Sequence, residues 1–147
     1  VSLCSILLVL YMYWQDRMKL AEKIVNTTSQ AVLVTNSKGI IQNVNPAFTE
    51  ITGYTAEQSI GQKPGFLKSG KHDRNFYDTM WKQLNEKQSW SGNIWNKKKN
   101  GNLYLQYLTI NAIQNDMGEI AYYVGVFSEL DPAEIQNASL KVNLNTK

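Results

Sequence analysis

An α+β fold, with a five-stranded antiparallel sheet carrying short helices on one face, is what this chain predicts. Three observations carry that expectation. Two short runs rich in β-branched residues come first, a string of short helices with marked ends follows, and three alternating runs split by tight-turn residues close the domain. The order is two strands, several helices, then three strands, with no alternation of strand and crossover helix, so the strands are expected to pair antiparallel and the helices to collect on one face. With 147 residues, 43% of them apolar, the chain can build one domain of roughly 100 to 120 residues plus flanking segments.

The first element is "VSLCSILLVLYMYW", uncharged throughout and finishing in Tyr11, Tyr13 and Trp14 before Asp16, Arg17, Lys19 and Lys23. Aromatic rings suit the headgroup level of a membrane, and basic residues beyond them suit its cytoplasmic side. The run is shorter than the roughly 20 residues of a full span. Residues 1–15 are therefore expected to be a truncated transmembrane segment, with a buried core helix as the competing reading. In "DRMKLAEKIVNTTS", Met18, Ala21 and Val25 share one helical stripe, which makes residues 16–30 a connector helix. The folded domain is expected over 31–130, and 131–147 form a tail in which Pro132 restarts a helix.

Inside the domain, "AVLVTNSKGIIQNVN" reads as a hairpin turning at Asn36 to Gly39. Asn45 can cap a helix that has Pro46 at its first position and Gly53 at its stop. Thr55 and Gln58 stand at capping-box spacing, and Pro64 with Gly65 forbids a long helix there. After Asp73, the residues Phe76, Tyr77, Met80, Trp81 and Leu84 form a broad apolar face on the one substantial helix. Trp90 to Lys97, Leu103 to Gln114 and Glu119 to Ser128 are the last three strands, separated by Asn100-Gly101 and by "NDMG".

Several chemistries are argued against. The net charge of +3 is mild and the lysines are scattered or sit in the turn Lys97 to Lys99, so no nucleic-acid partner is expected. One cysteine, Cys4, makes no internal disulfide or thiolate cluster, and one histidine, His72, has no second histidine to share a metal with. His72 beside Asp73 suggests an acid/base dyad less readily than a loop in which Asp73 caps the next helix. No catalytic motif is present, neither a "GGDEF" run nor a kinase nucleotide motif nor a phosphoacceptor-histidine helix.

The stretch "SWSGNIWNKKKNG" holds the candidate site. Along a strand Trp90, Gly92, Ile94 and Asn96 share one face, and Ser91, Asn93, Trp95 and Lys97 the other. An inward Asn96 brings a donor and an acceptor into apolar surroundings, where leaving them unpaired costs about 1 to 3 kcal/mol. Gly92 leaves space on that face, and Trp81 can supply a flat wall. The competing reading has Asn96 bonded to a neighbouring backbone group near the turn and the tryptophans as ordinary core and interface mass.

With "NPAFTEITGYTAEQSIGQ", "FYDTMWKQL", "WSGNIWNKKKNG" and "YYVGVFSEL" in this order, the chain resembles a PAS domain from about Ala31 to Leu130, and among PAS domains those of bacterial membrane-tethered signalling proteins. The likeness is greatest to the FAD-binding, redox-sensing branch of the NifL type. That resemblance implies the PAS fold, with a pocket between sheet and short helices. It implies that Trp81 and Asn96 line a flavin site, whose pyrimidine edge one amide can bind twice. Trp90 and Ile94 on the same strand face, and Phe66 and Leu67 in "GQKPGFL", complete the candidate cofactor-binding residues. It further implies a homodimer through the connector helix and the sheet, a downstream signalling domain or protein, and a place on the cytoplasmic side of a bacterial inner membrane.

The chain departs from the family pattern in places. Pro64 stands where the branch carries an acidic residue, and where blue-light relatives carry the cysteine that forms a flavin adduct. His72 precedes the helix on which haem-binding relatives place their axial ligand. Glu129-Leu130-Asp131 keeps the acid and aliphatic of the family's closing motif without its threonine. Two alternatives to flavin sensing stand: a cofactor-free dimerisation or partner-binding module, and the regulatory part of a diguanylate cyclase or histidine kinase.

Overall fold

The computed structural model describes residues 2–145. Helix α1 spans Leu3–Thr27. A hairpin of β1 (Ala31–Asn36) and β2 (Ile41–Val44) leads into α2 (Pro46–Thr52), α3 (Ala56–Ser59) and a single 3-10 turn at Pro64–Leu67. Helix α4 (Arg74–Lys87) then precedes β3 (Ser89–Lys97), β4 (Leu103–Gln114) and β5 (Ile120–Leu130), and α5 covers Pro132–Asn145. The five strands make one sheet in the order β2-β1-β5-β4-β3, with every neighbouring pair antiparallel. This is the PAS fold.

Local chemistry sets the ends of these elements. The Asn36 side chain accepts from the N–H groups of Lys38 and Ile40, closing the β1–β2 turn. Asn45 caps α2 by accepting from the Phe48 N–H at 3.0 Å, and Gly53 ends it in the left-handed region at φ 81°. Thr55 and Gln58 form a reciprocal capping box on α3. Asp73 caps α4 through the Phe76 N–H at 2.9 Å.

Closure of the sheet joins its first and last strands. β5 inserts between β1 and β4, pairing Ala31 with Phe127 and Asn36 with Tyr122. One sheet face meets the helices and holds the core in two lobes. Beneath α2, Phe48, Ile41, Leu33, Leu67 and Phe127 cluster with Ala31 and Val44. Beneath α4, Met80 and Leu84 pack on Trp90 and Ile94. Leu108 of β4 touches both lobes without being fully buried itself.

The transmembrane expectation for residues 1–15 is corrected here. Among the described residues no helix is long and apolar enough to cross a membrane, because charge enters at Asp16 and Arg17, well short of the roughly 20 apolar residues a span needs. The connector is continuous with the preceding segment, and α1 runs through as one helix with no buried residue.

Candidate functional site

Between the two lobes lies a cavity of about 440 Å³, within the range of small-molecule sites, roughly 300 to 1,000 Å³. It exists because the segment over it is broken. Pro64 and Gly65 hold the chain to one 3-10 turn, which fills less of the sheet than a helix would. The floor is the inner sheet face, with Ile94 and Asn96 of β3, Gln106 and Leu108 of β4, and Gly125 and Phe127 of β5. Trp81 and Met80 of α4 form one wall, and Leu67 and Lys68 of the turn form another. The charged residues of the lining, Lys38, Lys63 and Lys68, are all cationic. A wider groove of about 540 Å³ between the end of α2 and the β3–β4 turn is open to solvent and has no comparable apolar lining.

Of the six candidate residues, the structure brings Trp81, Asn96, Ile94 and Leu67 to the cavity lining, whereas Trp90 and Phe66 are not part of it. Trp90 is occupied beneath α4, edge-on to Phe76 at 6.0 Å between ring centroids. Phe66 turns instead to Tyr54, edge-on at 4.7 Å. The space expected above Gly92 is also taken. A Cβ there would lie 2.9 Å from two atoms of the Trp90 indole, so this glycine accommodates tryptophan, not a ligand.

Asn96 is buried at 7% exposure, and its polar groups have protein partners. In the orientation that satisfies the whole amide, Nδ2 donates to the carbonyl oxygens of Leu67 at 2.9 Å and Trp95 at 3.1 Å. Oδ1 then accepts from Gln106 Nε2 at 3.3 Å. Both amide hydrogens of Asn96 are therefore spent, and it cannot also grip a ligand twice through donor and acceptor. The remaining capacity is shared. Asn96 Oδ1 keeps a lone pair and Gln106 Nε2 keeps a second hydrogen, an acceptor beside a donor.

Gln106 is the residue that reading the sequence missed. It is 1% exposed, and its Oε1 accepts from the Tyr104 hydroxyl at 2.7 Å. Burial, helped by the Glu129 carboxylate, pushes the Tyr104 phenol far up, so it stays a neutral donor. Lys98 Nζ donates to Glu129 Oε2 at 3.0 Å, so this polar series runs from the cavity floor to the end of β5.

Two further lining residues have distinctive surroundings. Tyr77 carries a buried hydroxyl that has no hydrogen-bond partner among the described residues, and burial raises its pKa. The Lys68 ammonium lies 4.1 Å from that ring's centroid. Trp81 is 43% exposed and meets Tyr123 edge-on at 5.3 Å, which puts it where the cavity reaches solvent.

The sequence signature of the PAS domain matches residues 29–130. The chain belongs to the PAS family, whose members are sensory modules. It is 34% identical over 102 residues to a nitrogen fixation regulatory protein of Klebsiella oxytoca, a match covering 69% of this chain and 21% of the regulator. The chain thus spans about a fifth of that relative's length. Among solved structures, the PAS domain of a Colwellia psychrerythraea protein aligns with a TM-score of 0.73 at 21% identity, over 78% of this chain and 98% of that one. A light-oxygen-voltage domain studied with a flavin analogue aligns with a TM-score of 0.69 at 23% identity, over 85% of this chain and 94% of the other.

Proposed function

We propose that this PAS domain senses redox state or oxygen through a flavin, FAD in the first instance, held between α4 and the inner face of the sheet. The observation that carries the reading is Gly125. It lies in the cavity floor on the strand backbone of β5, where a Cβ would meet only ordinary contacts, the nearest being Leu108 Cδ1 at 3.6 Å. A central strand gains from a side chain at such a place, and a bare glycine fits the close approach of a flat ring. The resemblance of the sequence to the FAD-binding branch, and its identity to a nitrogen fixation regulatory protein, support the same ligand class.

In this reading the flavin supplies reversible electron and proton uptake on its ring system, and the chain supplies the rest. Trp81 offers a flat face. Asn96 Oδ1 and Gln106 Nε2 present an acceptor and a donor to an amide-like ring edge. Lys38, Lys63 and Lys68 meet a phosphate-bearing tail. A change in hydrogen bonding at Asn96 and Gln106 passes to Tyr104, and by the pairing of Gln106 with Glu129 to the last residues before α5. Such a change redistributes two existing arrangements and creates no new one. The output belongs to a downstream domain or partner, and dimerisation through α1 and the outer sheet face transmits it.

The visible spectrum of freshly purified protein tests this. Flavin bands, and flavin released on heating, are the expected result. Gln106→Leu is expected to lose most of the bound flavin, and Asn96→Ala to lose it as well. Colourless wild-type protein that takes up no added FAD or FMN refutes the flavin reading and leaves a cofactor-free interaction module.

Membrane attachment is proposed separately, as surface contact by the exposed apolar residues of α1, with the sheet on the cytoplasmic side of a bacterial inner membrane. Leu7, Leu8, Leu10, Tyr11 and Trp14 are all exposed there. Flotation with anionic lipid vesicles is expected, and its absence removes the attachment.

A further inference from the structure

β3 pairs with β4 on one side only, so its other edge would leave backbone groups open to water or to a stray strand. The segment between the 3-10 turn and α4 covers that edge. Lys68 makes a bridge to Asn96, and four residues on, His72 Nε2 accepts the Trp95 N–H at 2.8 Å. The imidazole is fixed for this contact. It stacks on Phe76 at 4.1 Å with 21° between planes, and stands edge-on to Tyr77 at 6.2 Å.

We propose that His72 is a proton-operated latch, closing the free edge of β3 beside the cavity only while its imidazole is neutral. The contact requires the tautomer with the proton on Nδ1, because Nε2 must offer a lone pair. Protonation places an N–H on Nε2, facing the N–H of Trp95, and two donors then oppose each other. The release reaches the cavity directly. Asn96 follows Trp95, and its amide holds the carbonyl of Leu67, so the lining residues Leu67 and Lys68 lie on the strap that His72 fastens.

The charged and titratable groups around His72 are Lys71 and Asp73 of its own loop, Tyr77 of α4, and Lys68 over the Tyr77 ring. Lys71 places its ammonium 3.9 Å from the centroid of the Trp95 ring. Burial lowers the pKa of His72 from its ordinary 6.5, with Asp73 opposing and Lys71 assisting. A histidine with a lowered folded-state pKa favours folding when neutral. Its contribution is complete above 6.5 and is lost as pH falls toward the lower folded value. The latch is thus shut at neutral pH and opens under mild acid. It needs no bound cofactor, so it stands or falls independently of the flavin.

The test is nuclear magnetic resonance of the intact chain between pH 8 and pH 5. The His72 ring and the Trp95 amide are expected to titrate together, with a midpoint below 6.5. Protection of the Trp95 amide against hydrogen exchange, corrected for intrinsic rates, is expected to fall about tenfold across that step, the worth of one hydrogen bond. In His72→Phe, which keeps a ring on Phe76 but has no acceptor, the Trp95 amide is expected to be unprotected at every pH. Wild-type protection retained in His72→Phe, or a Trp95 amide unmoved while His72 titrates, overturns the latch.

Discussion

Asn45 does more than cap a helix. Its Oδ1 accepts from Phe48 N–H at 3.0 Å and from Val32 N–H at 2.8 Å, while Nδ2 donates to the carbonyls of Val25 at 2.8 Å and Gln30 at 2.9 Å. One side chain, 2% exposed, therefore ties the end of α1 to β1 and α2. Asn45→Ala is expected to cost about 3 kcal/mol in urea unfolding, since it removes a cap and strands buried backbone groups. Gly92→Ala is expected to cost about 1 to 3 kcal/mol by the same measurement, because the Trp90 indole must leave its place. The cap at Asn45 was legible from Asn-Pro before an apolar run. Its reach to Val25 was not, because no local pattern signals a partner 20 residues back. Gly92 was correctly placed on the inner face, but strand alternation cannot tell whether the space above a glycine is empty or filled by its own neighbour.

At the level of elements, the strands and helix ends were the most legible features, because alternation and capping chemistry are local. The cavity was less so. Trp81, Ile94, Asn96 and Leu67 reach it, yet Trp90 and Phe66 found aromatic partners inside the protein, and ring pairing is decided by tertiary packing. Gln106 escaped notice because it sits within a long apolar strand, where a lone amide resembles solvent-facing alternation. β5 offers the sharpest separation of ligand from fold. Gly125→Val is expected to raise the unfolding free energy of the unliganded protein by about 0.5 to 1 kcal/mol, by strand propensity and added apolar contact. The same substitution is expected to abolish flavin uptake, read as absorbance per mole of protein. At the end of β5, the Lys98–Glu129 pair is half open to water, so Glu129→Gln is expected to change stability by less than about 1 kcal/mol.

For the whole molecule, the sheet has one face committed to helices and one that is not. Trp95, Leu105, Tyr107 and Tyr122 lie on the second, and Tyr107 and Tyr122 are 46% and 48% exposed. That face and the unburied α1 are the surfaces through which the proposed dimer forms. Tyr107→Glu is expected to shift the mass measured by light scattering toward the monomer while leaving the unfolding midpoint nearly unchanged. The register that pairs Ala31 with Phe127 has a consequence for how this domain sits in a longer polypeptide. The chain comes in and goes out at one pole of the sheet, on adjacent strands, so the domain behaves as a plug-in cassette. It can be spliced between two other segments without pushing them apart, and a small twist within it turns both flanks at once.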